Sequence, residues 1–270
     1  MMTDSMAKAY LERIGCPDAA AVSRENLFRI QSAHLETVPY STLTIHATGK
    51  EPDLTPDALF DRIVTKKSGG YCFELNGLLA DLLRTLGYEV VEYFARWHFG
   101  EKNPVPMRRH RVLKVCCDGN AWIVDAGVGC LCPNTPLEFK LDVVQPKNLR
   151  NYRLVRDPAL GIMVQTETQD GFVPYFSFTE DPHFPQDFNY VNYYCSNHPD
   201  SMFRREFFMT RQTADTQIYI SQPTPEEPNR TFCIKKSDVI AKTPIRDKAH
   251  FQQILADSFG VVCFQDDLPD

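Results

Sequence analysis

The chain has none of the marks of a membrane, secreted or nucleic-acid-binding protein. No apolar run reaches the roughly 18 residues that a bilayer-spanning helix needs, so no membrane partner is expected. The N-terminus, Met1-Met2-Thr3-Asp4-Ser5-Met6, has no basic flank leading into an apolar stretch and does not read as a secretory signal. The formal net charge is −6, and no Lys/Arg-rich stripe offsets it, which excludes nucleic acid as a partner. Repeats and low-complexity tracts are absent. The nine cysteines are odd in number and irregular in spacing, so they do not form a disulfide framework, and a reducing, cytoplasmic setting is the simpler reading. Cys116, Cys117, Cys130 and Cys132 fit no zinc spacing and have no accompanying His pair, so no metal is expected. Gly127-Val128-Gly129 lacks both the third glycine and the helix that a phosphate loop opens.

What is present points to an ordinary globular chain. Its 270 residues, 43% hydrophobic and 24% charged, can bury a sizeable core and have room for two or three subdomains. One stretch organises the rest: Lys67-Ser68-Gly69-Gly70-Tyr71-Cys72-Phe73-Glu74-Leu75-Asn76. A Gly-Gly turn delivers Cys72 to the start of an apolar-periodic run, with Leu75, Leu78, Leu79, Leu82 and Leu86 at helical spacing and Gly87 at the helix end. Free cysteines usually just fill space. A thiol in the first turn of a helix differs, because unpaired N–H groups and the helix dipole favour its thiolate, the reactive form. Cys72 is therefore a candidate nucleophile, expected to ionise easily.

Residues 1–90 read as helical: Met6 to Ile14; a helix capped by Ser23 with Leu27, Ile30 and His34 on one face; a start at Thr55-Pro56-Asp57; then the Cys72 helix. From Tyr88 the pattern turns to strands, at 88–94, His110 to Cys117, Ala121 to Ala126, Tyr152–Val155, Ile162–Thr166 and Phe172–Phe178, which suggests a small antiparallel barrel or sandwich. Glu180 to Ser201 reads as a long connector with one helical piece. Strands at Phe207–Thr210, Gln217–Ser221 and Thr231–Ile234 and a helix from Asp247 to Phe259 follow. Boundaries are expected near 90 and 205, dividing the chain into 1–90, 91–205 and 206–270.

A nucleophilic thiol needs a base, and the base an orienting group. His110 and Asp125 lie on opposite arms of a hairpin turned by Asp118-Gly119. A two-residue turn pairs Cys117 with Asn120 and makes Asp125 the diagonal neighbour of His110 on the same face. A three-residue loop would flip Asp125 to the other face. Asp125 also sits amid apolar strand residues, where an ionised carboxylate requires a partner. His34 and His98 are the lesser alternatives for the base. A thiol redox protein would need a second cysteine at position 75, which is Leu.

With these residues in hand, the chain resembles the arylamine N-acetyltransferases. The stretch from Gly69 to Asn76 matches that family's cysteine motif almost letter for letter. His110-x-x-Leu113-x-Val115 and Trp122-Ile123-Val124-Asp125-x-Gly127-x-Gly129 match its His and Asp blocks. Ala33-His34-Leu35-x-x-Val38-Pro39 upstream and Asn192-Tyr193-Tyr194-x-Ser196-x-x-Pro199-x-Ser201-x-Phe203 downstream extend the likeness over nearly the whole chain, in the family's order. The resemblance implies an α+β fold with a papain-like cysteine-enzyme core: an N-terminal helical bundle bearing the cysteine, a central antiparallel β-barrel bearing His and Asp, and a C-terminal α/β lid. It implies a Cys72–His110–Asp125 triad and ping-pong transfer through acetyl-Cys72. Acetyl-CoA would be the donor, with arylamines, arylhydrazines or N-hydroxyarylamines as acceptors and a role in xenobiotic metabolism. Gly127 and Gly129 would then lie at the cofactor, and Val128, Phe73 and Tyr71 at the substrate pocket. An amide synthase or amide-hydrolysing relative with the same triad is the nearest enzymatic alternative, and a non-catalytic binding module the alternative from another class.

Three departures stand out. Ser68 replaces the family's usual arginine, Ser41-Thr42 replace its Glu-Asn pair, and Val128 replaces a phenylalanine beside the acceptor pocket. Loss of the whole ionic set can be nearly neutral where loss of one partner is not. The expectation is a neutral network of hydroxyls and water holding the catalytic turn.

Overall fold

Helices and two antiparallel sheets make up the computed structural model of the chain, which describes residues 2–103, 105–263 and 268–269. Met1 and positions 264–267 and 270 of the expected C-terminal segment lie outside the described residues.

The helices are α1 (Asp4–Arg13), α2 (Arg24–Thr37), α3 (Leu43–Thr48), α4 (Pro56–Phe60), α5 (Cys72–Thr85), α6 (Asn189–Asn197), α7 (Met202–Arg205) and α8 (Lys248–Ile254). Local chemistry sets the early starts. Thr3 caps α1 and Ser23 caps α2, each side chain accepting a backbone N–H of the first turn, and Pro56 opens α4 with Asp57 behind it. From Cys72 to Leu83 every residue of α5 is buried, so this helix is the spindle of the core. Both α4 and α8 run on into a wider turn, Asp61–Thr65 and Leu255–Phe259 respectively.

The strands are β1 (Tyr40–Ser41), β2 (Glu89–Trp97), β3 (Arg108–Cys117), β4 (Asn120–Val124), β5 (Leu137–Glu138), β6 (Gln145–Pro146), β7 (Asn151–Asp157), β8 (Gly161–Thr168), β9 (Gly171–Phe178), β10 (Met209–Gln212), β11 (Thr216–Ser221), β12 (Thr231–Lys236) and β13 (Val239–Pro244). Among the described residues the larger sheet has the order β5-β4-β3-β2-β9-β8-β7-β6 and curls into a nearly closed barrel. Its two edges are bridged by a side chain that imitates a strand: the Gln145 amide accepts the Glu138 N–H (2.7 Å) and donates to the Glu138 carbonyl (2.8 Å). The smaller sheet, β1-β10-β11-β12-β13, packs against α8. The α+β, papain-like arrangement that the family resemblance implies is the one observed.

The β3–β4 hairpin has the two-residue turn, with Cys117 opposite Asn120 and Leu113 opposite Val124. Asp118 and Gly119 both take positive φ (49° and 74°), which matches the twist of the flanking strands. Several expectations need correction. The strand expected to run to Ala126 ends at Val124, because the Asp125 carboxylate accepts the Gly127 N–H and turns the backbone out of the ladder. The connector from Glu180 to Ser201 holds one helix, α6, entered by a short turn over Pro185–Phe188; α7, which gave no signal, follows it, and the strand expected at Phe207 begins at Met209. α3 and β13 gave no signal: α3 is a six-residue piece, and β13 is exposed on every residue and so lacks alternation. No helix among the described residues is long and apolar enough to cross a membrane.

One apolar core joins α1, α2 and α5 to residues of β3 and β4 such as Leu113, Val115, Trp122 and Val124, so the helices and the barrel share an interior. His34 sits at the edge of this core. Its Nδ1 accepts the Tyr10 hydroxyl at 2.6 Å, and burial lowers its pKa to about 3. The imidazole is thus neutral when folded but takes a proton near pH 6.5 when unfolded. Stability from this site is complete above pH 6.5 and is lost as pH falls towards 3, because there the unfolded chain binds the extra proton. Between pH 7 and 5 the wild type should lose roughly 2 kcal/mol more than His34→Gln, whose amide still accepts from Tyr10. Urea unfolding at the two pH values measures this, and parallel losses would show that His34 is not buried neutral.

Candidate active site

The two glycines before Cys72 let the chain pass beneath β1: Ser41 N–H donates to the Gly70 carbonyl at 2.8 Å, and Tyr40 bridges to Gly70. Cys72 is the first residue of α5, His110 the third of β3, and Asp125 follows β4 directly. The three are buried together. His110 Nε2 lies 2.8 Å from Asp125 Oδ2, which leaves Nδ1 as the free ring nitrogen, while the Cys72 thiol, 3.7 Å from the Arg109 carbonyl, feels the imidazole beside it. The aromatic rings of Trp97 and Phe176 flank the imidazole at 6.1 and 5.7 Å between centroids and keep water from it.

Asn76 holds this arrangement. One turn beyond Cys72 on α5, its Nδ2 donates to Asp125 Oδ1 (2.8 Å) and to the Arg111 carbonyl (2.5 Å), while its Oδ1 accepts the Ala126 N–H (2.8 Å). Asp125 Oδ1 also takes the Gly127 N–H, and the Asp125 N–H donates to Gln31 Oε1 at 3.3 Å. The carboxylate therefore has one direction in which to face His110. Gly127 is required for this approach: a Cβ there would stand 2.7 Å from Asn76 Nδ2 and 2.8 Å from the Cys72 Cα.

Burial opposes charge at both Cys72 and His110. It pushes the Cys72 thiol above its ordinary value, contrary to the expectation from the helix start alone, and the His110 imidazole beside it works the other way. At His110 burial favours the neutral ring, but the Asp125 carboxylate and the Cys72 thiol beside it together outweigh burial and raise the imidazole above its ordinary value. The Asp125 carboxylate thus favours a proton on the ring.

The site opens into a cavity of about 230 Å³ walled by Cys72, His110, Tyr40, Trp97, Gly127, Val128, Leu131, Phe203, Phe208 and Thr210, with Arg109, Cys130 and Met202 completing it. A cavity of roughly 150 Å³ already takes benzene, so one substituted ring fits. Val128 lines the cavity. Gly129 does not; it packs against Thr210 of the smaller sheet. Tyr71 and Phe73 do not line it either: both are fully buried and pack behind Cys72 with Phe94, Phe188 and Phe203. His34 and His98 face elsewhere, His98 Nε2 meeting Ser177 Oγ at 2.8 Å. Among the described residues no group of three or more His, Cys, Asp or Glu side chains could hold a metal ion. Asn76 and Gln31 were legible only as polar residues on otherwise apolar helix faces. Tyr40 and Thr210 reach the cavity from distant segments without a local signal, and Arg109 reaches it from beside His110 on β3.

The hydroxyl network expected at the catalytic turn is not what holds it. Ser41 Oγ accepts the Leu43 N–H (3.0 Å), Thr42 Oγ1 accepts the Phe208 N–H (2.9 Å), and Ser68 Oγ donates to the Arg62 carbonyl (2.9 Å), so each serves nearby backbone separately. An ion pair is retained, built from other positions. Arg62 Nη1 meets the buried Glu74 Oε1 at 2.5 Å, and Glu74 Oε2 accepts the Tyr71 N–H at 3.1 Å.

Residues 24–267 match the profile of the family described as N-acetyltransferase. The chain is 30% identical over 257 residues to the arylamine N-acetyltransferase of Mycobacterium tuberculosis, covering 94% of this chain and 88% of that one. It is 28% identical over 211 residues to the arylamine N-acetyltransferase / N-hydroxyarylamine O-acetyltransferase of Salmonella typhimurium, covering 78% and 74%. The solved structure of Mycobacterium marinum arylamine N-acetyltransferase in complex with CoA superposes with a TM-score of 0.84 at 27% identity, covering 96% of this chain and 95% of that one.

Breaking one side of the Arg62–Glu74 pair should cost about 3 kcal/mol, since a buried carboxylate is left uncompensated. Arg62→Ala is thus strongly destabilising by denaturant unfolding, and adding Glu74→Gln recovers at least ~1 kcal/mol of the loss. Additivity within about 0.5 kcal/mol would show that the pair does not secure the turn.

Proposed function

Because this chain belongs to the arylamine N-acetyltransferase family, a family of acyltransferases, we propose that it moves an acetyl group from acetyl-CoA to an aromatic amine, hydrazine or N-hydroxyarylamine through acetyl-Cys72. The observation that carries this reading is the buried Cys72–His110–Asp125 cluster opening into an apolar cavity the size of one ring.

His110 Nδ1 takes the thiol proton as Cys72 Sγ attacks the thioester carbonyl of acetyl-CoA. The imidazolium is stabilised by the Asp125 carboxylate, which also fixes the ring's tautomer. The Cys72 N–H lies in the first turn of α5, where backbone donors have no intrahelical partner, and is suited to the developing oxyanion. Collapse of the adduct breaks the bond to sulfur of CoA, which leaves with the proton held on His110. In the second half the acceptor nitrogen attacks acetyl-Cys72 and His110 removes its proton. The thiolate is then expelled and reprotonated. The net change is acetyl-CoA plus amine to acetamide plus CoA, with no redox step. Family likeness supports acetyl-CoA as donor, and the apolar wall of Trp97, Phe203 and Phe208 suits a flat acceptor.

Intact-mass measurement tests the reading. Acetyl-CoA should add one acetyl group, on Cys72, and an aromatic amine should remove it as the acetamide. Asp125→Asn should slow turnover by about a hundredfold or more with little change in stability, since the amide favours the wrong tautomer and no imidazolium. Failure of the wild type to gain acetyl would overturn the proposal, and near-normal turnover in the variant would remove Asp125 from it.

A further inference from the structure

We propose that Arg109 makes this enzyme selective for acceptors that carry a carboxylate on the aromatic ring. The inference rests on the acceptor role given to the cavity above and names the class of acceptor it prefers.

Arg109 precedes His110 on β3, and its carbonyl faces the nucleophile, 3.7 Å from Cys72 Sγ. Its side chain runs along the cavity wall to Met202 and Phe203, both of which line the cavity. The guanidinium lies 5.9 Å from the Phe203 ring centroid, and Nη1 stands 2.9 Å from Met202 Sδ. Its charge acts on the phenol of Tyr40, which also lines the cavity. Among the described residues no carboxylate lines this cavity, and Arg109 is its one permanently charged residue. A ring held against Phe203 in this cavity would therefore lie beside a guanidinium.

The guanidinium has hydrogen-bonding capacity to spare. Nη2 pairs with Glu101, but Nη1 faces only a thioether sulfur, a weak acceptor. Glu101 stands outside the catalytic cavity, on the wall of an adjoining, open cavity of about 650 Å³ that Arg109 and Met202 also line. With 26% of its side chain exposed against 15% for Arg109, Glu101 is the partner nearer to water, on the side of the adjoining open cavity. It occupies the place that a ligand carboxylate would take, and a flat carboxylate matches the two-pronged donor of arginine.

The other anions that could come here are the phosphates of the donor, and the charge of the adjoining cavity argues against them. Its walls set Glu101, Asp200 and Glu206 against Lys102, Arg109 and Arg205, three of each sign, so nothing there attracts a polyphosphate. The catalytic cavity itself, at about 230 Å³ and mostly apolar, suits a ring rather than a diphosphate.

The test compares 4-aminobenzoate with its methyl ester, which share ring and nucleophile and differ in charge. The wild type should favour the acid in kcat/KM by about tenfold, the scale of one charge-assisted hydrogen bond in a partly desolvated site. Arg109→Gln should bring the acid-to-ester ratio to unity or below. Glu101→Gln, which frees the guanidinium, should raise the ratio several-fold and serves if the first variant folds poorly. KM for acetyl-CoA, measured in parallel, separates the two sources of anion. A wild-type ratio near one, an equal loss for both acceptors in Arg109→Gln, or a loss confined to KM for acetyl-CoA would each overturn the proposal. Acetylation of Cys72 by p-nitrophenyl acetate keeps the ratio measurable even if acetyl-CoA proves not to be the donor, so failure of the donor assignment and failure of the Arg109 assignment give different results.

Discussion

The approach of helix α5 to the β3–β4 hairpin is the contact on which the rest of the site depends. Cys72 belongs to the helix and His110 and Asp125 to the hairpin, so nothing in either element alone brings them together. Asn76 makes the junction by spending both amide hydrogens and its oxygen on three partners of the hairpin. Arg111 returns the connection, donating to the Phe73 carbonyl in the first turn of α5 at 3.0 Å. The absence of a side chain at Gly127 lets the two surfaces close to contact distance.

Around that junction lies a set of buried charges, each with a partner. Arg111 is held by Glu92, which also takes Arg84 at 2.7 Å, and its guanidinium lies 4.3 Å from the Phe188 ring centroid. Glu74 pairs with Arg62 under the catalytic turn. Burying such charges is costly, and they add little net stability over apolar packing. What they add is direction: each fixes the orientation of a strand or turn that carries a reacting group. In the Cys72–His110–Asp125 cluster the carboxylate is anchored by Asn76 and Gly127, so it keeps one orientation towards the imidazole.

Much of this could be read from the sequence because it is local. The Cys72 helix announces itself through leucine spacing and a Gly-Gly entrance, and Asp118-Gly119 fixes the register that brings Asp125 to the face of His110. The clamp at Asn76 was within reach, as a polar residue one turn after Cys72 in an apolar helix. The Arg62–Glu74 pair was not, since nothing in the intervening residues says that a wider helical turn would aim Arg62 at Glu74 in place of an arginine at position 68. The walls given by Tyr40, Met202, Phe203, Phe208 and Thr210 come from segments joined only by the packing of the smaller sheet and α6–α7 against the barrel. Tyr71 and Phe73, adjacent to the nucleophile in sequence, point away from the cavity, because successive residues of a helix start face different directions.

The central claim is that Cys72 is made reactive by His110 and Asp125 despite burial, while the other cysteines are not. Cys130 and Cys195 are pushed up to about 12 by burial, and no imidazole stands beside either of them. Substoichiometric iodoacetamide at neutral pH, followed by peptide mapping, measures this directly in the wild type and in His110→Asn. The account predicts that Cys72 is alkylated first in the wild type and loses its lead in the variant. Labelling of the partly exposed Cys116 ahead of Cys72, or an unchanged order in the variant, would contradict it.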